Sequence, residues 1–103
     1  MNVVTLVGRI SQDIRTAKTK DGSLIANLNI AVPKPRNFSE ADFFRCVAFG
    51  KNAELIAEYT HKGSRIGISG HLTTSEYTNK DGANVKTVEI FIETVEFLEA
   101  KEK

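Results

Sequence analysis

Apolar side chains in this sequence come in short runs rich in β-branched and aromatic residues, separated by polar, glycine-bearing breaks. That pattern predicts strands along most of the chain. The first run, Val3-Val4-Thr5-Leu6-Val7, leads into Gly8-Arg9-Ile10 and predicts a strand with a bend or bulge at the glycine. Lys20-Asp21-Gly22 then forms a hairpin tip, Asp-Gly suiting a turn whose two central residues both take positive φ. Leu24 to Val32 alternates well from Ala26 onward and predicts a second strand, ended by Pro33 and Pro35, which cannot donate to a ladder. Pro33 to Ala41 reads as a polar loop carrying Lys34, Arg36 and Phe38. Asp42 to Phe49 predicts a third strand, broken by Gly50. The period then changes: Lys51 to Tyr59 predicts a short helix with Ala53, Ile56, Ala57 and Tyr59 on one face. His61 and Lys62 suit the negative end of its dipole, and Gly63 supplies the stop. Arg65 to Tyr77, with Gly67 and Gly70 inside it, is a long fourth strand. A second tip at Lys80-Asp81-Gly82 leads into the final strand, Val85 to Leu98.

Three strands, a helix and two more strands is the order of the OB-fold. The expected class is all-β with one short helix: a five-stranded Greek-key barrel with the helix between strands 3 and 4. Gly8, Gly67 and Gly70 stand where long strands must bend to close a small barrel. A β-sandwich, with more strands and no mid-chain helix, fits less well. At 103 residues the chain is one domain, expected over residues 1–99, with residues 100–103 a short charged end. The single cysteine excludes an intramolecular disulfide and suits a reducing cytosol. Apolar runs fall well short of the ~18 residues of a membrane helix, and the N-terminus has no signal-peptide pattern, so the expectation is cytoplasmic.

Net charge is +1, but it is unevenly placed. Residues 1–88 hold 12 Lys and Arg against 8 Asp and Glu, while residues 89–103 hold 2 against 5. The body is mildly basic and the C-terminal stretch acidic, which alone does not define a nucleic-acid binder. Catalytic readings find no support. His61 and His71 have no neighbour at metal-ligand spacing, and both read as surface histidines. Cys46 lies at a core parity, with nothing nearby to activate a thiol. Gly63-Ser64-Arg65-Ile66-Gly67 has no following helix and makes no phosphate loop. No catalytic residue, metal, cofactor or small-molecule substrate is expected.

The third strand carries the functional signal. Alternation places Phe43, Arg45, Val47 and Phe49 on one face and Phe44, Cys46 and Ala48 on the other. The second set is small and apolar and suits the barrel interior. An arginine does not belong in a core, so Phe43 and Phe49 share its solvent-facing side. Exposed rings interleaved with cations form a stacking surface for unpaired bases. Equally open on this strand alone is a face packed under a loop or a second subunit, with Arg45 snorkelling out. Tyr77 shares its parity with His71, Thr73 and Ser75, a polar face with little core to join; it stacks on a base or shields its hairpin. Phe38, beside Arg36 and near Lys34, is a further stacking candidate or a local anchor of its loop.

In order and spacing, several stretches resemble the bacterial and phage-type single-stranded DNA-binding proteins across nearly the whole chain. They include Asn2-Val3-Val4-Thr5-Leu6-Val7-Gly8-Arg9-Ile10, Ala26-Asn27-Leu28-Asn29-Ile30-Ala31-Val32 and Ala41-Asp42-Phe43-Phe44-Arg45-Cys46-Val47-Ala48-Phe49-Gly50-Lys51. Lys62-Gly63-Ser64, Gly70-His71-Leu72, Tyr77-Thr78-Asn79-Lys80-Asp81-Gly82 and Val95-Glu96-Phe97-Leu98-Glu99 continue the match. The resemblance implies base stacking on Phe43, Phe49 and Tyr77, and phosphate contacts at Arg15, Arg45, Lys51 and Lys62. It departs from the family in having no tryptophan, in Arg36 at a position aromatic in some members, and in Thr73 and Ser75 where arginines are common. Fewer cations imply a shallower salt dependence. Family members often continue into a flexible linker and an acidic tip, whereas this sequence ends at Glu99-Ala100-Lys101-Glu102-Lys103, as a trimmed domain or a naturally short paralogue would.

The resemblance implies sequence-tolerant binding and protection of single-stranded DNA in replication, recombination or repair, in the cytoplasm with the nucleoid. It also implies a homotetramer, with a dimer second, and no membrane partner. A strand as apolar as Val3–Val7 is an unprotected edge in a monomer, and Phe44 is then expected at a subunit contact rather than deep in the barrel. Two other readings stay open. One is an OB-fold protein-interaction module of a replication or restart assembly with secondary nucleic-acid binding; the other is RNA binding on the same surface.

Overall fold

A computed structural model describes residues 1–98. Glu99, at the expected domain boundary, and the charged end at residues 100–103 lie outside the described residues. Where apolar and polar residues alternate the backbone is extended, in β1 (Val4–Ile10), β3 (Leu24–Lys34), β4 (Asn37–Phe49), β5 (Arg65–Thr78) and β6 (Asn84–Phe97). A short β2 (Arg15–Lys18) and one helix, α1 (Lys51–Tyr59), complete the set. The ladder runs β1–β5–β6–β4–β3, and β3 returns to β1 at Arg9–Ala31 and Ile10–Ile30, closing a five-stranded barrel. β4 and β6 run parallel at Cys46–Ile90 and Val47–Phe91, and the other pairings described are antiparallel. The barrel is the expected OB-fold, with α1 between its third and fourth strands.

Inward positions are filled mainly by isoleucine and small side chains. Ile10, Ala26, Leu28, Ile30, Cys46, Ala48, Ile66, Ile68, Ile90 and Ile92 are buried, and Ala53 and Ile56 of α1 join them. α1 packs against β3, β4 and β6 and covers part of this core. Two glycines let backbones approach. A Cβ on Gly8 would lie 2.3 Å from the Ala31 carbonyl oxygen, where β1 turns from β5 toward β3. One on Gly70 would lie 1.8 Å from the Phe91 carbonyl oxygen, beside the register shift at Ser69/Gly70. Larger residues there would force the strands apart.

Four local expectations are corrected. Pro33 to Ala41 is a hairpin arm rather than a loop: β3 runs through Pro33 to Lys34, and β4 starts at Asn37. Past Ala31, β3 has a described partner strand on one side only, so a proline without an N–H is tolerated at its open edge. β2 leaves no signal in the sequence because Arg15, Thr16, Ala17 and Lys18 are all exposed and carry no alternation; the strand exists by pairing with β3 from Arg15–Asn27 to Lys18–Leu24. Both Asp-Gly tips are hairpins of a different turn. Only Gly22 and Gly82 take positive φ there (89° and 81°), and Gly22 N–H donates to Thr19 O as Gly82 N–H does to Asn79 O, each at 3.0 Å. This is the three-residue hairpin loop ending in a left-handed glycine.

The buried arc of α1 also differs. Ala53 and Ile56 are buried with Asn52 and Leu55 half-buried, while Ala57 and Tyr59 are exposed. The arc centres nearer Asn52 than expected, which turns Ala57 outward at 100° per residue. Tyr59 lies nearly a turn past Ile56 and meets Phe97 edge-on at 5.9 Å.

Candidate nucleic-acid interface

The outward face of β4 is set by its ladder with β3, which puts Phe43 opposite Ala31, Arg45 opposite Asn29 and Phe49 opposite Ile25. Phe43 is 67% exposed, Phe49 41%, and Arg45 is exposed between them. Cys46 and Ala48 are fully buried on the opposite parity, and Phe44 is half-buried against the core. The expected register therefore stands. Val47 departs from it by being buried despite its outward parity, with Asn27 and Phe91 opposite it on the two neighbouring strands.

Phe91 is the main residue that sequence reasoning missed. Its ring stacks on Phe49 with centroids 5.3 Å apart and planes at 18°. On its other side it stacks on His71 at 5.2 Å and 22°. Three rings thus form one row across β4, β6 and β5. The Glu93 carboxylate pairs with Nδ1 of His71, and the Asn52 side-chain amide donates to the Glu93 carbonyl at 3.1 Å, tying the start of α1 to this row. Phe91 alternates with Glu89 and Glu93 in the sequence, the same ring-among-charges signal that marks β4.

From His71 onward β6 is the one described partner strand of β5, the Asn2 side chain holds the Leu72 backbone, and beyond Leu72 the two strands project from the barrel as an arm. Tyr77 lies near its end opposite Val85 and is 55% exposed, with Thr73 and Ser75 on the same parity. The β3–β4 arm ends in Pro35-Arg36, with Arg36 exposed and Phe38 78% exposed. Lys34 belongs to that arm, but its ammonium pairs with Asp42 at 2.5 Å, which offsets its charge. Arg15 is exposed on β2, in the register row Arg15–Asn27–Val47–Phe91–His71. Lys51 is exposed at the first residue of α1, two residues beyond Phe49. Lys62 is not grouped with these: it follows the far end of α1 and lines a cleft with Asp13, Thr16 and His61.

Burial pushes the Cys46 thiol up to about 12, which leaves it neutral and inert at physiological pH. Among the described residues, no group of three or more His, Cys, Asp or Glu is placed to hold a metal ion. No helix there is long and apolar enough to cross a membrane.

A small closed barrel, capped by one helix and presenting rings and cations on one face, defines an oligonucleotide-binding class of protein. Residues 1–98 match the single-strand binding protein family, and the chain belongs to that family. It is 39% identical over 105 residues to a single-stranded DNA-binding protein of Oceanobacillus iheyensis, covering 98% of this chain and 65% of the relative. It is 38% identical over 104 residues to single-stranded DNA-binding protein B of Bacillus subtilis (strain 168), covering 97% of this chain and 92% of that protein. The chain thus spans less than two thirds of the first relative and nearly all of the second.

Proposed function

We propose that this chain binds single-stranded DNA with little sequence preference, without turnover, and protects it during replication, recombination or repair. The observation that carries the reading is the solvent-facing set Phe43, Arg45 and Phe49 on β4, with Tyr77 on the adjoining arm, in a barrel of this family. Each stacked base contributes about 1–3 kcal/mol, and stacking needs only a flat ring, so any base suffices. Arg45, Lys51, Arg15 and the exposed Arg36 hold phosphates, and the counterions they displace make binding salt-dependent. Phe38 adds a ring at the tip of the β3–β4 arm. Lys62 joins only a strand that wraps past α1, and Lys34 contributes little while Asp42 holds it. Family membership favours this reading over a protein-interaction module.

The functional unit in this reading is a homotetramer in the cytoplasm, associated with the nucleoid. β1 supports self-association, since Val4–Gly8 pairs with β5 on one side and Val3 and Val7 are 66% and 45% exposed. Fluorescence polarisation of labelled oligo-dT at two salt concentrations tests the binding. The expected result is micromolar or tighter affinity that weakens with salt; no binding at low salt refutes it. A matched oligo-rU titration separates DNA from RNA. Light scattering giving the mass of one 11.4 kDa chain at micromolar concentration would refute self-association.

A further inference from the structure

The ring row ends at His71, which has no part in the binding reading above. Its imidazole is set by two contacts: Phe91 covers one face, and Glu93 takes Nδ1. Rings with centres this close and planes this nearly parallel are offset and face to face, not side by side on the sheet. Phe91 is therefore enclosed between Phe49 and His71, and the two outward faces of the row belong to those end rings. The His71 side chain is 40% exposed, and Phe49 is 41% exposed. On the far side of His71, the β1–β5 ladder ends at Val4–Gly70, the Asn2 side chain bonds the Leu72 carbonyl and N–H at 2.8 and 2.9 Å, and Val3 between them is 66% exposed.

We propose that His71 is a second base-stacking site for single-stranded DNA, at the opposite end of the ring row from Phe49; this rests on the DNA-binding reading above. Its surroundings favour a base over a phosphate. Glu89 and Glu93 flank Phe91 along β6 and repel phosphate oxygens. A flat imidazole face accepts any base. The Glu93 contact also fixes the ring plane before DNA arrives, which lowers the ordering cost of stacking. A strand engaged at both ends of the row crosses the β-strands from β4 to β5, toward the arm that carries Tyr77.

The test measures oligo-dT affinity at one moderate salt concentration for the wild type, His71→Ala, His71→Phe and His71→Lys, with a thermal melt of each. Stacking predicts that His71→Ala loses about fivefold to 150-fold in affinity. It also predicts that His71→Phe restores binding and that His71→Lys does not. A loss in His71→Ala smaller than about fivefold overturns the proposal. So does rescue by lysine, or failure of phenylalanine to rescue. In each of these cases the wild type still binds, so the underlying reading survives; a wild type that does not bind removes both. If His71→Ala melts well below the wild type, His71→Phe decides alone, since it keeps a ring against Phe91.

Discussion

Phe49 stacks on Phe91 across the β4–β6 pairing, ring centres 5.3 Å apart, while remaining 41% exposed. Phe49 therefore has two roles that a one-strand alternation argument separates. It is a surface ring offered to a base, and it is half of an aromatic pair worth about 0.5–1.5 kcal/mol beyond its burial. Phe49→Ala is expected to lower both oligo-dT affinity and the melting temperature. An affinity loss with an unchanged melt would show that the Phe91 contact contributes nothing to the fold.

Neighbouring phenylalanines on β4 should respond in opposite ways. Phe43 is 67% exposed, whereas Phe44 packs against the buried cluster. Phe44→Ala is expected to destabilise the fold by up to about 3–5 kcal/mol, less in proportion to its partial exposure. Phe43→Ala is expected to leave chemical denaturation unchanged and weaken DNA binding. The reverse pattern would mean that β4 is shifted by one residue, since such a slip exchanges the two faces.

Charge contacts separate by their partners. Arg45→Ala is expected to reduce the salt slope of binding by about one, as loss of one phosphate contact requires. Lys34→Ala is expected to reduce it less, because Asp42 already neutralises that ammonium. Equal slope changes in the two variants would contradict this ordering.

Cys46 gives a pH-dependent term with a definite sign. Burial moves its thiol from an ordinary 9.0 to about 12 in the folded chain. Between those values the unfolded chain releases a proton that the folded one keeps, so this contribution is intact below pH 9 and is lost as pH rises toward 12. Within that window the slope is about 1.4 kcal/mol per pH unit. Alkaline denaturation of wild type against Cys46→Ala reads it as a steeper fall in the wild type. Parallel curves would show that the thiol ionises without unfolding.

Most of the barrel was legible because its strands bury one face and so alternate, and Gly50 and Gly63 bracket α1. The face of β4 was legible for the same reason, with Arg45 excluding the inward reading. β2 was not, since Arg15-Thr16-Ala17-Lys18 buries nothing and exists only as a ladder on β3. Pro33 signals a strand end locally, yet an open edge accommodates it. The His71–Phe91–Phe49 row was hidden because its members lie on three strands far apart in sequence, and only the registers of β4, β5 and β6 bring them together.

Tyr77 tests the central claim most directly, because it is 55% exposed, sits on an arm outside the barrel and is not stacked on another described ring. The measurement is oligo-dT affinity of Tyr77→Ala against wild type, with the melting temperature recorded alongside. Stacking predicts a loss of about 1–3 kcal/mol in binding with the melting temperature close to wild type. Unchanged affinity, or a fall in the melting temperature alone, would contradict it.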